Sequence, residues 1–346
     1  MVRELVKGLE LRGYEVLVLH RDNATPEWLR HPKSWLARTF GNTVLSWYLG
    51  RKLRDFSDRE IVAVISNGPV GWYVPDLDGN SARKIHIYHG TYRSLAEAIR
   101  PFIRYWGYLK LKWWDSMLIE RRCGAGKQVL CNSDQTREEV MRSFGHRGLT
   151  TWCPLDTSHF RPLHQPSCRR SLGLPERGGV GVFVGSACPT KGFSTMESLI
   201  RSLPDVRWIL ALMGNIPEHL TCNGAVQVFP NAPYHLLPTL YGAADFAVFP
   251  SRYEPFGYVV AEALACGTPA IAAPGGASRL FLQEPPLDSL LIGDAGNTDR
   301  YLAAALRVLN DPQRYRQAVV DKVRPRIVET MAPENWWPRF FNATGL

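Results

Sequence analysis

The sequence predicts an α/β protein built from two doubly wound, Rossmann-like domains, and three observations carry that prediction. The chain has 346 residues, whereas a single core stops growing at roughly 250–300 residues. Strand-like apolar runs alternate with helical stretches twice over, the pattern of a parallel sheet covered by helices. Between the two alternations, from Cys153 to Ser171, come Pro154, Pro162 and Pro166 with no sustained periodicity, which marks a linker.

The first alternation opens on a helix. Val2, Leu5, Val6 and Leu9 recur at helical spacing and Gly13 stops the run, as a residue free to adopt positive φ does at a helix end. Strands are expected over 15–20, 61–66, 84–88 and 127–131. The second alternation predicts strands over 180–184, 208–212, 226–229, 245–249, 269–272 and 289–292. Ligands of such sheets bind beyond the carboxyl ends of the strands, so the loops after Val184, Phe249 and Ala272 are expected to line one cleft.

Composition narrows the function. An apolar content of 45% with 21% charged residues is that of a folded globular chain. No apolar run reaches the roughly 18–20 residues of a membrane span, and no secretory leader opens the sequence, so the expected location is the cytoplasm. The seven cysteines, Cys123, Cys131, Cys153, Cys168, Cys188, Cys222 and Cys266, show neither C-x-x-C nor finger spacing and read as reduced thiols without a metal. Of the net charge of +9, residues 1–160 carry +7 (24 Lys and Arg against 17 Asp and Glu) and the remainder +2 (17 against 15). No zinc-finger, RNA-binding or helix-turn-helix pattern accompanies that excess, so nucleic acid is not expected; phosphorylated acceptors or an anionic membrane surface fit it better.

The segment richest in chemistry runs from Pro250 to Pro269, PSRYEPFGYVVAEALACGTP. It reads as strand, loop, helix, Gly stop and strand. Pro255 and Gly257 allow a tight entry to a helix whose first free N–H groups, from about Phe256 through Gly257 and Tyr258 to Val259, suit a phosphate or a sugar hydroxyl. Glu254 stands beside that helix start. Glu262 follows eight residues later on an apolar helix, where a carboxylate must find donors or stay costly, and ligand hydroxyls would supply them. At 1.5 Å per residue the two carboxylates are at most about 12 Å apart along an axis, comparable to the reach from a ribose to a sugar across a diphosphate. The plain alternative is an ordinary βαβ unit with a capping Glu254 and a paired Glu262.

This segment resembles the E-x7-E signature of the family 4 glycosyltransferases, retaining enzymes of the GT-B fold, with the preceding Pro-Ser and the following Gly-x-Pro included. The resemblance implies two Rossmann-like domains facing each other across a cleft: an acceptor-side domain over 1–155, a nucleotide-sugar domain over 156–330, and a closing segment over 331–346 that crosses back to the first. It also implies that the first strand of the N-terminal domain is missing, since in the family that strand precedes the opening helix and this chain begins inside the helix. Glu254 would contact the donor sugar and Glu262 the ribose. Lys191, in the loop Val184-Gly185-Ser186-Ala187-Cys188-Pro189-Thr190-Lys191-Gly192, resembles the lysine that neutralises the donor diphosphate, with Gly185 and Ser186 beside it. The family usually has Arg where this chain has Ser186, and Arg279 is the candidate substitute. His89, at the end of a first-domain strand, resembles a histidine that bonds the donor sugar; Asn132 and Ser133 resemble a strand-end pair that shapes a loop and caps a helix.

The implied reaction is hexosyl transfer with retention from a nucleotide diphosphate sugar to a saccharide or lipid-linked acceptor, in glycan, lipopolysaccharide or glycolipid synthesis. Neither metal nor cofactor is expected, the nucleotide sugar being a substrate. Residues 100–114, RPFIRYWGYLKLKWW, mix cations with aromatic rings, which suits peripheral contact with an anionic membrane at its cytoplasmic face; a core helix with a solvated basic side is the plainer alternative.

Overall fold

The computed structural model describes residues 2–30, 35–76, 82–214, 216–221 and 224–346. The chain divides into two compact units, Met1–Pro154 together with Trp336–Leu346, and Leu155–Asn335.

In the first unit the opening helix runs Val2–Glu10, and Gly13 takes a φ of +86° behind it. Four parallel strands follow, β1 (Ala63–Asn67), β2 (Arg83–Tyr88), β3 (Gln128–Cys131) and β4 (Gly148–Thr150), hydrogen-bonded in the order β1-β2-β3-β4. Ile85 and Ile87 of β2, Leu130 of β3, and Leu5 and Leu9 of the opening helix pack with Trp336, Trp337 and Phe340 in one core cluster. The strand expected over 15–20 is not there. Tyr14 and Val16 lie against the core cluster, but the segment joins no ladder: alternation of polar and apolar residues fixes which face is buried and supplies no hydrogen-bonding partner.

The second unit holds β5 (Val180–Ser186), β6 (Arg207–Met213), β7 (Val226–Pro230), β8 (Phe246–Phe249) and β9 (Ala270–Ala272), all parallel, in the order β7-β6-β5-β8-β9. The order reverses between β5 and β8, which is where sheets of this kind bind ligands. Burial is nearly complete along β5, β6 and β8, so their sequences are continuous apolar runs. The strand expected over 289–292 is instead a 3-10 turn, Leu287–Leu290, followed by one isolated bridge from Leu291 to Ala272; a short apolar run does not distinguish the two without its neighbours. Within the expected linker, Gln165–Ser171 forms a helix with Pro166 in its first turn, a position where the missing N–H costs nothing.

At the far end of β5 from its ligand-binding edge, Arg169 and Asp245 form a buried ion pair of 2.8 Å. Arg169 also donates to the carbonyls of Ala243, Glu176 and Gly178, and Asp245 accepts from Val180 N–H. Every charge is thus matched by hydrogen bonds, the condition under which burying a pair is tolerated.

Candidate functional site

At the switch point the loops after β5 and β8 are pressed together by backbone contacts that only glycine permits. Gly192 has a φ of +65°, and a Cβ there would stand 1.9 Å from the Pro250 carbonyl oxygen. Arg252 N–H donates to Thr190 O at 2.8 Å across the same seam. A third loop joins from β9, where a Cβ on Gly275 would lie 2.6 Å from Glu254 O. Gly257, at φ +89°, packs against the Glu254 stem and starts the helix Tyr258–Ala265 with no side-chain cap.

The convergence brings two of the expected site residues into contact. Lys191 Nζ donates to Glu254 Oε2 at 2.5 Å, with both side chains partly exposed, 32% and 18%, and Ser251 Oγ donates to the same carboxylate oxygen at 3.4 Å. Gly185 lies beside the Lys191 stem, and Ser186, half-buried, ends β5. Phe256 is buried with its ring edge-on to Tyr258, while Tyr258 and Val259 are half-buried at the helix start. Arg279 is exposed in the helix Gly276–Phe281.

Glu262, buried at 8% exposure, accepts a hydrogen bond of 3.0 Å from the Tyr241 hydroxyl. A paired Glu262 was the plain alternative in the sequence, but the partner was not readable there: Tyr241 lies in another helix, Leu237–Ala243, and no motif links the two positions. Burial pushes the Glu262 carboxyl up to about 7 against the opposing pull of the Tyr241 bond, and it raises the Tyr241 phenol well above its ordinary value, with the neighbouring carboxylate adding to the effect.

His89 belongs to the first unit, just past the end of β2. Its Nε2 faces Asn67 Oδ1 and its Nδ1 faces Asn132 Nδ2 at 3.4 Å, so the amide groups assign the proton to Nε2. Burial lowers its pKa to about 4, leaving the ring neutral with both nitrogens engaged. Ser133 caps the helix Asp134–Phe144 by accepting from Thr136 N–H, and Asn132 Oδ1 accepts from the Thr136 hydroxyl. Among the described residues no three His, Cys, Asp or Glu side chains converge as a metal ion would require. The six cysteines of those residues are free, all buried except the half-exposed Cys188; Cys222 lies outside the described residues.

The basic aromatic segment lies on the first unit's surface. A continuous helix runs through Tyr105–Leu109, Lys110–Glu120 and Arg121–Gly124, its middle eleven residues in the wider π winding. The pairs Asp115-Ser116, Ile119-Glu120 and Cys123-Gly124 turn inward at four-residue intervals, longer than the 3.6 of an α-helix and suited to i→i+5 bonding. Phe102, Tyr105, Trp106, Trp113, Trp114 and Leu118 are exposed, Trp106 at 78%. No helix among the described residues is long and apolar enough to cross a membrane.

Two family models match the chain: Glycosyltransferase Family 4 over residues 1–154 and Glycosyl transferases group 1 over residues 165–324. A D-inositol 3-phosphate glycosyltransferase of Catenulispora acidiphila is 30% identical over 214 residues, covering 55% of this chain and 49% of the relative. One from Thermobispora bispora is 31% identical over 185 residues, 48% of this chain and 43% of its own length. The chain thus matches somewhat under half the length of these relatives. In fold it is similar to a sucrose-phosphate synthase from Thermosynechococcus elongatus (TM-score 0.74, 18% identity, 99% of this chain and 91% of that one). It is also similar to WaaG, a glycosyltransferase involved in lipopolysaccharide biosynthesis (TM-score 0.71, 14% identity, 100% and 95%). With matching models on both units, Glu254 at the switch point of the second sheet and Glu262 eight residues on in the helix that follows β8, the chain belongs to the family 4 glycosyltransferases and has their GT-B fold.

Proposed function

We propose that this protein is a retaining, metal-independent hexosyltransferase that uses a nucleotide diphosphate sugar. The observation that carries the reading is the contact of Lys191 with Glu254 at the β5–β8 switch point, with the buried Glu262 eight residues on. One cation and two carboxylates so disposed suit a donor with an anionic centre and a hydroxyl-bearing group at each end. Solved structures of similar fold, HepE from Anabaena at 16% and 15% identity, hold UDP with glucose and UDP-glucose.

In the reaction the bond from the sugar's anomeric carbon to the phosphate oxygen breaks, and a bond from the same carbon to the acceptor oxygen forms. The acceptor's proton passes to the leaving diphosphate. Lys191 stabilises the charge that develops on that leaving group, Glu254 orients the sugar, and Glu262 holds the ribose; the work is positioning and electrostatics. His89, neutral and bonded to Asn67 and Asn132 within its own unit, is the histidine that would bond the donor sugar.

The test is to incubate the protein with uridine, guanosine and adenosine diphosphate sugars and candidate acceptors, and to read nucleoside diphosphate release and the anomeric configuration of the product by NMR. Glu254→Ala should reduce transfer at least about a hundredfold, the scale of a lost transition-state contact, with the circular dichroism unchanged. A fully active Glu254→Ala protein would overturn the assignment. Ser186, standing where a second cation is usual, favours one rival: a nucleotide-sugar binder without turnover, which calorimetry would show as binding with no product. A GT-B-type epimerase or phosphorylase would instead convert the donor without a saccharide or lipid acceptor.

The exposed rings of residues 102–118 support a lipid-linked acceptor met at a membrane surface, rings entering the headgroup layer and the exposed Arg104 facing phosphates. Flotation with anionic vesicles at low salt should carry the protein upward, and Trp106→Ser with Trp113→Ser should leave it at the bottom.

A further inference from the structure

We propose that the Lys191–Glu254 ion pair is an exchangeable lock on the diphosphate site: the incoming diphosphate takes Lys191 from Glu254, and the carboxylate so released is the group that receives the sugar. The proposal rests on the reading of the site as a nucleotide-sugar site and adds to it an order of events and a cost. Three observations carry it. The two groups, which on that reading serve different parts of the donor, are bonded to each other at 2.5 Å. Their loops are packed closely, backbone against backbone, Gly192 against Pro250 O and Gly275 against Glu254 O. The mobile component is therefore the lysine's four-carbon stem, which carries a compact charge able to turn from one anion to another. Lastly, both side chains retain partial exposure, so water and an incoming phosphate reach the pair.

The exchange balances in charge. Lys191 leaves one anion for another, and Glu254, freed of its cation, keeps Ser251 Oγ as a 3.4 Å donor and regains acceptor capacity for sugar hydroxyls. A nucleoside diphosphate without sugar must also open the lock, and this allows the lock to be measured apart from transfer.

The experiment is calorimetric titration of the full chain with whichever of uridine, guanosine or adenosine diphosphate binds the wild type most tightly, repeated on Glu254→Gln, Lys191→Met and the double variant. Glu254→Gln should bind the nucleoside diphosphate about tenfold more tightly than wild type while losing transfer, because Lys191 no longer has to be taken from a carboxylate. In the Lys191→Met background the same substitution should give no gain. Equal or weaker binding by Glu254→Gln would overturn the lock while leaving the nucleotide-sugar assignment intact. A gain that persists without Lys191 would overturn it too, since simple repulsion between Glu254 and phosphate would then explain the effect. Absence of binding to all four proteins would overturn the assignment of the site itself.

Discussion

Burial holds the Glu262 carboxyl at a pKa of about 7, and a protonated carboxyl is a poorer partner for two ribose hydroxyls than a carboxylate. Donor affinity should therefore rise as pH is taken from about 6 to about 8, and Glu262→Gln should flatten the profile; calorimetry across that range checks both. Glu120 carries a different consequence. It is buried beside Glu139 and Asp115, accepts from Tyr92 N–H, and is pushed to about 8 chiefly by burial. Below about pH 4.5 the folded and unfolded chains both keep this proton, so nothing is lost there. Between about 4.5 and 8 the unfolded chain releases it while the folded chain retains it, and stability falls steadily across that window. Glu120→Gln should unfold at a higher temperature than wild type at pH 8 and show little difference at pH 5, as thermal denaturation at the two values would reveal. Glu254 and Glu262 were legible as candidates because they lie on one loop-helix unit after β8, and Lys191 because it lies in the short loop after β5. Tyr241 was not, since its hydroxyl reaches Glu262 only when two helices pack.

At the scale of elements, the close approach of loops at the β5–β8 switch point depends on Gly192. Gly192→Ala meets both a positive φ and the Pro250 oxygen at 1.9 Å, so it should lower the melting temperature and weaken nucleoside diphosphate binding together. Gly173→Ala is the control: its φ is +68° with nothing within 4 Å of the added carbon, so it should cost only about 1 kcal/mol and leave binding alone. The strands of the second sheet were readable as apolar runs between turn residues. What misled was an alternation without a pairing partner over 15–20 and a short apolar run over 289–292. In the helix 105–124 the inward faces recur every four residues, so an α-helical wheel could not say which rings face solvent, and four of them do, Tyr105, Trp106, Trp113 and Trp114.

For the molecule as a whole, the first unit is discontinuous. Its core is closed by Trp336, Trp337 and Phe340; the Trp336 indole donates to Thr151 O at 2.5 Å, and Gly8 lies so close to the Trp337 ring that a Cβ would overlap it at 1.7 Å. Trp336→Ala should destabilise this unit by about 3–5 kcal/mol, the usual cost of emptying a buried aromatic site. Scanning calorimetry should then resolve an earlier transition for the first unit and an unshifted one for Leu155–Asn335.

That arrangement also sets an order of assembly on the ribosome. The residues that complete the first unit's interior emerge only after all of Leu155–Asn335 has been synthesised, so the later-coded body, contiguous in sequence, can mature before the earlier-coded one. A nascent chain halted anywhere within 155–335 would hold its opening helix and sheet over an unfilled apolar surface, a form that chaperones recognise and that invites aggregation.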